Sequence, residues 1–190
     1  MRHGGAAVAA VLAAPGAVGR KDKVTSSVRA DLEEIFRGEY QRVVAVAARV
    51  LGSREQAEDV AQEVFLSFGR TSVPAGEARG WLTVAAAHTA LNVLRSRRRR
   101  SSREHAAGTG STEDADVSEA VVTLEERRRV RAALARLPRR HAVALVLRHS
   151  GLSYAEVAAA LDLSPGSVGT TVRRAESALR KELSRHAASH

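Results

Sequence analysis

Residues 153–179 read SYAEVAAALDLSPGSVGTTVRRAESAL, and they contain two helix starts and one break. Ser153 with Glu156 three positions on is a capping box, in which hydroxyl and carboxylate each satisfy an orphan backbone N–H. It opens a short helix to Leu161. Asp162 then sits in the turn, where an acid is the best substitute for glycine in a left-handed conformation. Ser164 is a strong N-cap, and Pro165 takes the first helical position, where its missing N–H costs nothing. Beyond it Val168, Val172, Ala175 and Leu179 recur at spacings of 4, 3 and 4, the inward stripe of a long final helix. Its outward face carries Ser167, Thr170, Thr171 and Arg174, with Arg173 at the flank. A short helix, a tight turn and a second helix with small polar and basic residues at its start form a helix-turn-helix. A plain helical hairpin has the same outline, so charge has to separate the two.

The charge favours a polyanionic partner. The 190-residue chain carries a formal net charge of +9 with a pI near 11.1. Of its 30 cations, 27 are arginines, the side chain suited to bidentate contacts with phosphate and guanine. The surplus is concentrated at the end: residues 124–190 hold 13 basic and 6 acidic side chains, whereas 101–123 hold 1 and 5. Basicity alone does not distinguish nucleic acid from a membrane surface; basicity on a helix-turn-helix does.

Composition sets the rest of the frame. Hydrophobic residues make up 44% of the chain and aromatics only 3%, so the core is built from Ala, Val and Leu, which suits packed helices. Cysteine is absent, which removes disulfides and Cys-ligated zinc, and the seven histidines form no ligand pair. No metal and no cofactor is expected. No nucleophile–base set or glycine-rich phosphate loop is visible, so the chain does not read as an enzyme. The apolar run Ala6–Ala14 imitates a signal peptide, but it is dominated by alanine. Residues 1–30 are therefore expected to be a disordered extension and the protein cytoplasmic. No segment has the roughly 20 apolar residues of a membrane span.

Two helical blocks flank a linker. Residues 101–120, SSREHAAGTGSTEDADVSEA, are rich in Ser, Gly, Thr and acids without apolar periodicity, and read as flexible. The first block, 31–100, begins with a helix over Asp31–Leu51 in which Leu32, Ile35, Phe36, Val43, Val46, Ala47 and Val50 recur at helical spacing. Gly52 stops it, and Ser53 with Gln56 forms another capping box. The second helix runs to Phe68 with Ala57, Val60, Ala61, Val64, Phe65 and Phe68 inward and Glu58, Asp59, Gln62 and Glu63 outward. A third helix from Glu77 ends in Arg97–Arg100, cations that suit a helix C-terminus. The second block, 121–185, adds helices over Val121–Leu137, with Val130, Ala133, Leu134 and Leu137 inward, and from Pro138 to His149. The fold class is all-α: two small helical domains on a flexible linker.

Three segments together, AEDVAQEVFLSF (57–68), ARGWLTVAAAHTALNVLRSRRRR (78–100) and LARLPRRHAVALVLRHSGLSYAEVAAALDLSPGSVGTTVRRAESALRKEL (134–183), resemble bacterial sigma factors of the extracytoplasmic-function (ECF) group. The resemblance implies a sigma-2-like three-helix bundle over 31–100 and a sigma-4-like domain over 121–185. It implies core RNA polymerase and promoter DNA as partners, and an anti-sigma factor as a partner common in the family. Asp59, Gln62 and Glu63 would then dock on polymerase. His88, Asn92 and Arg95 would melt and hold the minus-ten element, with Arg97, Arg98, Arg99 and Arg100 on phosphates and the Thr71–Glu77 loop beside a flipped base. Ser164, Ser167, Thr170, Thr171, Arg173 and Arg174 would read the minus-thirty-five element.

This chain departs from the family pattern at several positions. Where relatives show Val-Lys-Ser-Arg-Leu it has Val168, Gly169, Thr170, Thr171 and Val172, which removes two cations. Relatives often have Arg at Ala87 and Asn at His88. Arg139 and Arg140 occupy a helix's first turn, against the dipole, and are expected to compensate by touching DNA phosphate. Trp81 reads as a core residue rather than a stacking platform. Two other functions fit the residues less fully: an autonomous helix-turn-helix regulator, and a basic helical adaptor. Neither needs an acidic face together with a basic third helix.

Overall fold

A computed structural model describes residues 30–106 and 119–187, with side chains over 30–103 and 123–185. All regular structure among the described residues is helical, and it begins with α1 (Leu32–Leu51) and α2 (Arg54–Phe68). Gly52 stops α1 at φ +73°, a left-handed conformation open to glycine. Ser53 caps α2 by accepting from the Gln56 backbone N–H. The expected capping box is only half made, however: Gln56 Oε1 is buried without a partner. A 3₁₀ turn (Ala75–Glu77) leads into α3 (Ala78–Ala106). These three helices pack on one another through Val43, Val50, Val64, Phe68 and Leu82. Trp81 belongs to this core, as expected, with its ring 5.4 Å from that of Phe68.

The second unit comprises α4 (Glu119–Arg136), α5 (Arg139–His149), α6 (Tyr154–Leu161) and α7 (Pro165–Ala187). Val143, Leu147, Val157, Val168 and Ala175 are fully enclosed between α5, α6 and α7. The capping box at Ser153 and Glu156 forms in both directions. Asp162 closes α6 at φ 51°, among the described residues the one non-glycine residue with positive φ.

Three expectations need correction, and one point of packing is added. Helix α3 does not stop at Arg100 but runs to Ala106, because no Gly or Pro lies between Arg100 and Gly108 to break it. The first six residues of the expected linker are therefore helix, while 107–118 and 1–29 lie outside the described residues. Phe36 and Val130, read as core, are 40% and 42% exposed. Phe36 instead joins an aromatic group at the edge of the bundle, 4.7 Å from Tyr40 and 4.8 Å from Phe65. Finally, the two units, for which the sequence implied no particular packing, rest against each other. Helix α3 packs against α1 on one side and against α4 and α5 on the other, and a single apolar cluster spans both units. Residues 81–88 of α3 are buried all the way round, which a helix on the rim of a three-helix bundle is not.

Candidate nucleic-acid interface

The start of α7 is the more open of the two surfaces expected to meet DNA. Val168, Val172 and Ala175 anchor the helix inward, and this fixes which residues point out. Ser164, Thr170, Arg173 and Arg174 are exposed, whereas Ser167 and Thr171 are half-buried. Much of the hydroxyl chemistry is satisfied internally. Ser164 Oγ lies 2.7 Å from Ser167 Oγ, and Thr171 donates to the Ser167 carbonyl at 2.9 Å. Thr170, Arg173 and Arg174 are left as exposed side chains outside these two bonds. Gly169 is half-buried, and a Cβ added there would meet the Tyr154 ring at 3.6 Å, an ordinary contact. Residue 169 therefore borders α6, where Arg148 lies over the same ring at 5.3 Å. The sequence pattern had passed over Tyr154 and Arg148 as neighbours of the reading helix.

The α3 surface differs. His88 is only 3% exposed, and its Nδ1 lies 2.9 Å from Arg139 Nη2 at the first residue of α5. A guanidinium can only donate, so Nδ1 accepts and the ring proton is on Nε2. That Nε2–H is buried and unpartnered. Burial, followed by the charges of Arg139 and Arg95, pushes the His88 pKa down to about 4, so the ring is neutral at pH 7. Arg95 donates to the Leu137 carbonyl at 2.9 Å, and Asn92 is half-buried. Of the residues expected at the minus-ten element, Arg97, Arg98, Arg99 and Arg100 are exposed, on the part of α3 that extends past the packed region. Ala87 has no exposure at all. Arg139 was expected to face phosphate; in the structure its guanidinium is on His88. Arg140 is exposed and donates to the Leu161 carbonyl at 3.5 Å.

On α2, Asp59, Gln62 and Glu63 are all exposed, and Leu66, at 66%, continues the same stripe one turn on. An acidic stripe ending in an exposed leucine repels phosphate and is suited to a protein partner.

Three comparisons bear on this arrangement. Residues 35–100 match the Sigma-70 region 2 family, and residues 127–179 match Sigma-70, region 4. The RNA polymerase sigma factor YlaC of Bacillus subtilis is 30% identical over 168 residues, covering 83% of this chain and 94% of that protein. The chain belongs to the ECF group of RNA polymerase sigma factors. The ECF sigma factor SigK of Mycobacterium ulcerans is 29% identical over 184 residues, covering 87% of this sigma factor and 96% of SigK. SigE of Mycolicibacterium smegmatis is 29% identical over 159 residues, and the chain spans 62% of its length. Among solved structures, the sigma factor RpoE of Bartonella quintana, crystallised with the anti-sigma factor NepR, matches with a TM-score of 0.51 at 20% identity. That match covers 81% of this chain and 97% of RpoE, and it supports the all-α fold. A sigma factor directs promoter-specific transcription by RNA polymerase, and both regions needed for this are present here in order.

Proposed function

We propose that the sigma factor divides its work among three surfaces. Asp59, Gln62 and Glu63 of α2 dock on core RNA polymerase. The His88, Asn92 and Arg95 face of α3 opens and holds the minus-ten element, with Arg97, Arg98 and Arg99 on its phosphates. The start of α7, with Ser164, Ser167, Thr170, Thr171, Arg173 and Arg174, enters the major groove at the minus-thirty-five element. The observation that carries this reading is the separation of charge. An acidic stripe on α2 and exposed arginines on α3 and α7 occupy different helices, so protein and DNA can be held together.

Opening DNA costs a few kcal/mol of unstacking per extruded base, and cations on the backbone together with a pocket for the base offset it. Nothing in this role requires a catalytic group from the chain itself. Its setting is the cytoplasm, with polymerase and promoter. RpoE, the structural neighbour, is bound by an anti-sigma factor, and a partner of that class fits this chain as well. Run-off transcription tests the proposal: promoter-specific product should appear only when both core polymerase and the purified chain are present. Tight sequence-specific binding of the chain alone to duplex DNA, with no effect on polymerase, would favour an autonomous regulator.

A further inference from the structure

We infer that the cleft between the start of α3 and helix α6 is a binding site for a small apolar zwitterion, an α-amino acid with a hydrophobic side chain. The site goes beyond promoter recognition and needs neither DNA nor polymerase. Small residues keep the cleft open. Gly76 of the 3₁₀ turn and Gly80 of α3 stand on one wall, and Ala159 and Ala160 of α6 on the other. A Cβ added at Gly76 or Gly80 would meet nothing within 4 Å, so the space is left by the chain itself and not by a side chain swung aside. The volume is about 330 Å³, at the lower end of the roughly 300–1,000 Å³ of small-ligand sites. Val73, Trp81, Val84 and Leu152 supply the apolar lining. All four are buried, so the lining is fixed before a ligand arrives.

Three charged side chains complete the lining, Glu77, Arg79 and Glu156. Arg79 belongs to α3 and Glu156 to α6, so they come from opposite walls. Hydrogen bonds from Ser153, and after them the charge of Arg79, hold the Glu156 carboxyl below its usual pKa, so it is ionised at pH 7. Arg79 is thus near Glu156, yet among the described residues no ion pair joins the two and no hydrogen bond engages the Arg79 guanidinium. Glu156 Oε2 accepts from the Ser153 backbone N–H at 2.7 Å, which leaves Oε1 for a ligand.

Unlike charges held apart across an apolar cleft match a molecule with both charges at one end and a hydrophobic body at the other. In an α-amino acid the carboxylate pairs with Arg79, the ammonium pairs with Glu156, and the side chain lies on Trp81 and its apolar neighbours. The two carboxylates, Glu77 and Glu156, select against a ligand that carries only negative charge, such as a phosphate or a simple acid. A single ion pair at so exposed a rim contributes little. Two pairs closed at once by one rigid ligand, with apolar burial added, give the site its selectivity.

Trp81 is the one tryptophan of the chain and lines the cleft, so its fluorescence reports on the site directly. L-Phenylalanine added to the full chain should change that fluorescence saturably, with a dissociation constant below about 1 mM that calorimetry reproduces. Phenethylamine, which lacks the carboxylate, and 3-phenylpropionate, which lacks the ammonium, should each bind at least about tenfold more weakly. Arg79→Gln should erase the advantage of phenylalanine over phenethylamine. Glu156→Gln, which keeps a capping partner for Ser153, should erase its advantage over phenylpropionate. Ala159→Leu fills the cleft from an exposed position on α6, and should abolish binding without lowering the melting temperature. No saturable signal with phenylalanine up to about 10 mM would overturn the site. So would phenethylamine or phenylpropionate binding as tightly as phenylalanine, or undiminished binding by Ala159→Leu.

Discussion

Helices α3 and α7 both carry arginines and small polar residues on a face suited to DNA, but the His88, Asn92 and Arg95 part of the α3 face is enclosed while the start of α7 is open. At the start of α7 the polar groups pair among themselves, Ser164 with Ser167 and Thr171 with the Ser167 carbonyl. On α3 they pair with the other half of the molecule, His88 with Arg139 and Arg95 with Leu137. Residue type therefore decides what a surface is able to bind, and docking decides whether it is available. The start of α7 is open to solvent as it stands, whereas His88 and Arg95 of α3 are engaged by the second unit.

The largest effect expected is on stability. Leu91 is 1% exposed in α3, and Leu91→Ala should cost about 2–5 kcal/mol. Because α3 packs against both units, thermal denaturation should show one cooperative transition moving down as a whole. Two separate transitions would break the comparison by showing that the halves fold independently.

Next comes pH. His88 has its pKa depressed from 6.5 to about 4 in the folded chain, so the unfolded chain binds the proton more readily. Its contribution is complete above pH 6.5, is lost as pH falls toward 4, and is flat below that. The facing cations are Arg139 and Arg95, which a protonated ring would repel. The full shift corresponds to roughly 3 kcal/mol at about 1.4 kcal/mol per unit. Denaturant melts at pH 7 and pH 5 should differ less for His88→Asn than for the wild type, and an equal difference would remove His88 from the account.

A smaller effect separates the two arginine sets. Arg173→Ala, on the exposed start of α7, should reduce the slope of log K against log salt for promoter duplex by about one. Arg139→Ala should leave that slope unchanged, since its guanidinium lies on His88. A loss of slope at Arg139 would restore the phosphate contact expected from the sequence.

The smallest effect concerns Gly169. A methyl group there meets only Tyr154 at 3.6 Å, so Gly169→Ala should stabilise the fold by about 0.8–1 kcal/mol through helix propensity. Duplex binding should be unaltered. Weakened binding would mean that DNA approaches the bare backbone at this position.

Local rules made most of the helices readable. Gly52 and Asp162 adopt the left-handed turns their chemistry allows, and Ser153 and Glu156 close the box their spacing foretells. Val168, Val172 and Ala175 are buried as their periodicity requires. Errors arose where burial depends on distant packing. Phe36 and Val130 have core spacing but lie near the rims of their helices' contacts, and periodicity does not report where a core ends. The covering of His88 had no local signal, because a polar face sealed by another unit reads like one awaiting a ligand. One hint was available: 85–87 is Ala-Ala-Ala and Leu91 follows, so α3 has little polar surface before Asn92.

Helix α3 is one unbroken rod of 29 residues, about 43 Å long at 1.5 Å per residue. One portion is clasped between the units, and the other carries Arg97–Arg100 and Arg103 beyond them into solvent. A strand of DNA that grips those arginines therefore pulls on the free arm of a lever whose fulcrum is the packed turn around Leu91. Torque applied at the tip is delivered to the packed segment that holds His88 and Arg95 against the second unit.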